Sequence, residues 1–200
     1  FTIYSLAVGF VVGLNYLHLG VATNVNRELA GTNINDLINR ALIFWSGLAS
    51  MTVIGVVVVV GLSWIYPVYV ERLSSQSLAT IQIAESFFGK VILQTPIILT
   101  LIFLRAVLES EFKFGITSSN RALLNTALLL SPVIVGLFNL PFVFLSDLFL
   151  LFHSIALAYL GYNCRSYFLL PLPAFQLKVF LDIFKSGASL TLISLGMLVF

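Results

Sequence analysis

Long uncharged apolar runs, each closed by a charged or helix-breaking residue, dominate this sequence. The first, Ile3 to Asn26, ends at Arg27 and Glu28, and the second, Ala41 to Val70, lies between Arg40 and Glu71. A third, Phe87 to Leu104, lies between Glu85 and Arg105 and has Lys90 near one end. Ala122 to Leu140 contains Pro132 and stops at Pro141, Phe142 to Asn163 carries Asp147 in its first turns, and a last run starts near Phe180. A helix rising 1.5 Å per residue needs about 20 apolar residues to cross roughly 30 Å of hydrocarbon. The pattern therefore predicts an all-α, polytopic transmembrane bundle forming one domain over residues 1–200. Its helices are expected at about 3–26, 41–66, 86–105, 120–140, 142–163 and 180–200, five whole crossings and part of a sixth.

A membrane barrel is excluded by the same pattern. Barrel strands alternate apolar and polar residues, whereas the run VIGVVVVVG is apolar without alternation. Its β-branched residues lower helix propensity in water. In lipid, however, each unpaired backbone group costs several kcal/mol, so backbone pairing outweighs propensity.

Composition sharpens the picture. The 200 residues are 60% hydrophobic and 9% charged, with a mean hydropathy of +1.07, against about 25% charged in an ordinary soluble domain. Eighteen Asp, Glu, Lys and Arg residues cannot cover the surface of a soluble protein of this length, which excludes a soluble enzyme and a disordered chain. The single cysteine, Cys164, excludes an internal disulfide and a cysteine metal site. A net charge of +2 gives no reason to expect a nucleic-acid partner.

Orientation follows from the cations. Arg27, Arg40, Arg105, Lys113, Arg121, Arg165, Lys178 and Lys185 fall in alternate connections, and only Arg72 and Lys90 fall in the others. The positive-inside bias places the eight in the cytoplasm. The first helix then enters from outside. Together with a first residue that is Phe and a last one inside an apolar run, this is what an internal fragment with an earlier helix missing is expected to show. Partners expected on these grounds are membrane lipids.

Little in the sequence carries catalysis. It contains no G-x-S-x-G, H-E-x-x-H or P-loop pattern and no aspartate pair spaced for metal-dependent transfer, so no catalytic residue, metal or cofactor is expected. Glycines at 9, 13, 47, 55, 61, 187 and 196 fit either close static packing or sliding helix surfaces. Pro96 and Pro132 mark kinks. Polar groups at membrane depth are more informative, because they are costly there. Asn15 and His18 share one side of the first helix, and Thr23, Asn24 and Asn26 continue it. That face either lines a wet cavity that meets a polar head group or bonds to neighbouring helices. His153 is expected to be packed and neutral, and Asp147 to face the outer head groups. The cations serve topology and anionic lipid, or a phosphate-bearing substrate. For the latter, Arg27, Arg105 and Arg121 are the candidates, because a guanidinium fork binds phosphate oxygens bidentately.

Three segments carry a family resemblance. YSLAVGFVVGLNYLHLGVATNVNRELAG resembles the second helix of polysaccharide flippases of the multidrug/oligosaccharidyl-lipid/polysaccharide exporter superfamily, with His18 where Asp is usual. LRAVLESEFKFGITSSNRALLNTALLL is similar to the family's junction of helices four and five, and LDIFKSGASLTLISLG to its seventh-helix entry around Gly187. The resemblance implies a MATE-like N-terminal lobe, helices two to seven of a twelve- or fourteen-helix transporter whose C-terminal lobe is missing here. It implies a multi-pass protein of the bacterial inner membrane that flips undecaprenyl-pyrophosphate-linked oligosaccharide by alternating access, for polysaccharide, lipopolysaccharide or O-antigen biosynthesis. The implied substrate-binding residues are Asn15, His18, Arg27, Arg105 and Arg121. A drug or metabolite antiporter of the superfamily is the alternative and should show mid-membrane carboxylates. A membrane-embedded O-antigen polymerase or ligase is another, and should show a large outward loop.

Overall fold

The computed structural model describes residues 20–71, 78–170 and 178–185. Among these residues every regular element is helical and no strand occurs. Gly20, in the left-handed region at φ 64°, precedes helix α1 (Val21–Gly31). The expected first crossing, 3–26, lies mostly outside the described residues; its described part continues five residues past Asn26. A turn follows, and Asp36 starts α2 (Leu37–Glu71) as an N-cap, its Oδ1 accepting the Asn39 N–H at 3.2 Å.

The third expected crossing is interrupted. Helix α3 (Leu78–Leu93) stops at Gln94, and α4 (Thr95–Ser110) restarts with Pro96 in its first turn. Proline has no N–H to give the Ile92 carbonyl, so the ladder breaks there. It restarts where Ile98 N–H donates to Gln94 O at 3.1 Å. Helix α5 (Phe114–Leu137) runs through Pro132 without interruption. It is followed by α6 (Phe144–Asn163), the short α7 (Arg165–Phe168) and a helix α8 at 178–185. The last expected crossing, 180–200, is described only as far as residue 185.

Among the described residues, four stretches are long and apolar enough to cross a bilayer: Leu37–Trp64, Glu85–Ser110, Phe114–Leu137 and Phe144–Asn163. The protein is thus an all-helical, multi-pass membrane protein. Its outward faces are apolar, as lipid requires: Val56, Val57 and Val60 on α2, Leu129 and Val133 on α5, and Leu151 and Ile155 on α6 are all exposed.

Helix α4 is the centre, packed against α1, α2, α5 and α6. It buries residues on nearly every side, including Leu99, Leu101, Phe103, Leu104 and Val107, so no single apolar stripe marks it in the sequence. Lipid tails are as apolar as Leu, so helices here associate through close contact rather than water exclusion. Gly47 shows how. A Cβ at that position would lie 2.6 Å from Val25 Cγ2 and 2.8 Å from Phe103 Cε2, so its absence lets α1, α2 and α4 meet. Beside it, Phe44 contacts Phe103 and stacks on Tyr167, with ring centroids 5.3 and 5.1 Å apart. A second apolar cluster, Phe87, Val91, Ile98, Leu145 and Phe149, holds α3 and α4 to α6 toward the other end.

Both interhelical turns around α5 close with Schellman bonds. After α4, Lys113 N donates to Leu108 O and Phe112 N to Glu109 O, each at 3.0 Å. After α5, Leu140 N donates to Val135 O at 3.0 Å and Asn139 N to Gly136 O at 3.3 Å. The left-handed residue is Phe112 (φ 59°) in one and Asn139 (φ 50°) in the other. Asparagine tolerates that conformation; a bulky aromatic rarely adopts it.

Candidate functional site

Arg40 sits at the start of α2, Glu111 and Lys113 in the turn after α4, and Tyr167 in α7. Arg40 Nη2 donates to Glu111 Oε1 at 2.9 Å and also meets the Tyr167 hydroxyl, which donates to the same carboxylate oxygen at 2.7 Å. Lys113 Nζ reaches Glu111 Oε2 at 2.7 Å, and Arg40 Nη1 donates to Leu29 O at 3.3 Å. The residues around Arg40, Glu111, Lys113 and Tyr167, from three different connections, therefore meet at one end of the bundle. Burial pushes the Glu111 carboxyl up, but the Lys113 and Tyr167 hydrogen bonds and the nearby Lys113 and Arg40 charges outweigh it and hold the carboxyl below its ordinary value. Burial and the bond to Glu111 push the Tyr167 hydroxyl upward. Burial likewise pushes the Cys164 thiol up to about 12.

The opposite end is simpler. Lys90 Nζ lies 2.7 and 2.9 Å from the two Asp147 oxygens, and Gln94 Nε2 donates to Ser146 O at 2.8 Å. Asp147 is half-exposed and paired with Lys90.

Inward from the cationic end lies a cavity of about 540 Å³ between α1, α4, α5 and α6. Helix periodicity builds it. On α4 the positions 98, 101, 102, 105 and 109 share one face, and on α5 the positions 121, 124, 125 and 128 face them. Arg105 and Arg121 therefore meet in one space although they belong to different spans. The lining is mixed: Glu109, Arg105, Arg121 and Asn125 are polar, and Ile98, Leu101, Ile102, Leu124 and Leu128 are apolar. Thr23 and Asn26 of α1 complete the wall, as does His153 of α6.

The guanidinium groups differ in their partners. Arg105 Nε donates to Asn120 Oδ1 at 2.9 Å, and fully buried Asn120 is itself fixed by its Nδ2 donating to Ala156 O at 3.3 Å. Among the described residues, the two Nη groups of Arg105 have no hydrogen-bond partner. Arg121 Nη2 is held at 2.6 Å by Glu109 Oε1. The buried His153 has Nδ1 at 2.7 Å from Phe149 O. A carbonyl only accepts, so Nδ1 carries the proton of this bond.

Of the sequence-derived candidates, Arg105 and Arg121 come together. Arg27 does not join them. Its Nη2 donates to Asn24 Oδ1 at 3.0 Å and lies 3.3 Å from Glu28, and it faces a second cavity of about 520 Å³, with Asn39 and Asp182. α1 is thus a wall between two cavities, with Thr23 and Asn26 on one side and Asn24 and Arg27 on the other. Asn15 and His18 lie outside the described residues. Glu109, Asn120 and Asn125 were not singled out from sequence. The signal for the first was the i, i+4 spacing of Arg105 and Glu109, which places them on one helix face. Among the described residues, no group of three His, Cys, Asp or Glu side chains lies together to hold a metal.

No family model, curated protein or solved structure matches the chain.

Proposed function

We propose that this chain is a lobe of a transporter that moves an anionic, lipid-linked substrate, an undecaprenyl-pyrophosphate-linked oligosaccharide, between the leaflets of a bacterial inner membrane. The observation that carries the reading is the meeting of Arg105 and Arg121, from two membrane-spanning helices, in one cavity with a mixed polar and apolar lining. Cationic side chains at such depth are costly unless they serve a water-filled path or a partner of opposite charge. Among the described residues Arg105 has no partner on its fork, and that fork suits two phosphate oxygens. Asn26, Thr23 and Asn125 offer hydrogen bonds of the kind sugar hydroxyls use, and Ile98, Ile102 and Leu128 offer an apolar surface to the lipid-proximal part. No bond is made or broken. The site needs only to bind on one side and release on the other as the bundle rocks against the rest of the transporter.

The test is in cells that depend on the gene. Charge reversal, Arg105→Glu or Arg121→Glu, abolishes surface polysaccharide while the protein remains inserted at normal abundance. Unchanged export in both variants removes the cavity from the route.

A further inference from the structure

Resting on the reading of this cavity as an anion site, we propose that Glu109 is an internal competitor for the incoming anion, occupying Arg121 in the empty site and keeping binding weak enough for release. The two arginines are in different states. Arg105 has a structural anchor at Nε through Asn120 and leaves its Nη groups unused among the described residues. Arg121 is already occupied, its Nη2 at 2.6 Å from Glu109. Its side chain is 58% exposed and that of Glu109 21%, so the arginine can swing away while the carboxylate stays in the wall.

Charge counting points the same way. Among the described residues, the ionised groups lining the cavity are Arg105, Arg121 and Glu109, a net of one positive charge. A pyrophosphate bridge carries roughly two negative charges at neutral pH, so the site is under-matched while the carboxylate remains. An anion entering over Arg105 must take Arg121 from Glu109 and then tolerate an unpaired carboxylate beside it. When the anion leaves, the pair closes again. A carrier must bind well enough to load and weakly enough to unload, and a built-in carboxylate serves the second need. Structural support alone does not require this position: the turn after α4 is already closed by its Schellman bonds and by Glu111.

The test uses the whole chain in nanodiscs of zwitterionic lipid, with farnesyl pyrophosphate and inorganic pyrophosphate as probes. Wild type binds farnesyl pyrophosphate, and Glu109→Gln binds it roughly tenfold tighter, a gain that shrinks as salt is raised. Arg121→Gln, which leaves Glu109 unopposed, weakens binding, and adding Glu109→Gln in that background recovers most of the loss. Inorganic pyrophosphate bound as tightly as the farnesyl form supports the same role for Glu109 and assigns the site to a free anion. If wild type binds and Glu109→Gln binds no tighter, the competitor role is overturned while the anion site stands. If wild type binds neither probe, the anion reading of the cavity falls, and this inference with it.

Discussion

The two ends of the bundle both tie helices together with ion pairs, yet they place those charges in different surroundings. At the cationic end, Glu111 gathers Arg40, Tyr167 and Lys113, and the paired Arg40 and Glu111 side chains are only 8% and 19% exposed. At the far end, Lys90 and Asp147 are 42% and 44% exposed. A buried charge that loses its partner has nothing to replace it, whereas a half-exposed one turns to water or lipid head groups. The cationic end is therefore the lock of the fold, and the far end is the part free to yield. The break at Gln94 and Pro96 lies in the yielding part, and the cavity of Arg105 and Arg121 lies just inside the lock.

That contrast breaks most sharply at Glu111. Glu111→Ala strands the Arg40 guanidinium and should cost about 3 kcal/mol, whereas Lys90→Met should cost about 0 to 1 kcal/mol, both read by thermal unfolding in detergent micelles. Equal losses would erase the distinction. The same carboxyl gives a pH signature. Its folded value lies below the ordinary 4.5, so its contribution is present above 4.5 and is lost as pH falls through the lower folded value. Acid titration of wild type should show that loss, and Glu111→Gln should lack it.

Next in size is the packing contrast along α2. Gly47→Ala drives a methyl into Val25 and Phe103 and should destabilise by about 1 to 3 kcal/mol. Gly61→Ala, toward the far end, meets nothing within 4 Å among the described residues and should be neutral or stabilising. The smallest effect separates the two Schellman turns. Phe112→Gly relieves a left-handed aromatic and should stabilise by about 1 kcal/mol, while Asn139→Gly should change stability by only about a few tenths. Comparable midpoint shifts in both variants would show that the aromatic is not strained in its turn.

Much of the fold was legible because charge is expensive in lipid. Arg40, Arg105, Lys113 and Arg121 had to sit near span ends, and the helices do begin and end near them. The interruption at Gln94 was foreshadowed by Pro96, whose missing N–H acts locally. Pro132 carried the same signal and left α5 continuous, because proline removes one bond without deciding what its neighbours do with the freed carbonyl. In the site, Arg105 and Arg121 stood out as arginines bordering apolar runs, with forks suited to phosphate oxygens. Glu109 and Asn120 did not, since their roles depend on which face of α4 meets which face of α5.

What the amino-acid order determined by itself is the class of the molecule: helical, because no strand edge survives in hydrocarbon, and multi-pass, because each apolar run is about one bilayer long. It also determined that the cations would gather at one end, since alternate connections must share a side. Tertiary structure alone decided the partnerships. Arg40 lies 71 residues from Glu111 and 127 from Tyr167, and no local rule relates positions that far apart. It also decided that, among the described residues, Arg105 has no partner on its fork while Arg121 is held by Glu109, and that Arg27 faces another cavity. Helix rotation about its own axis sets these outcomes, and in lipid, where every outer face is apolar, that rotation is settled only by how the neighbouring helices fit.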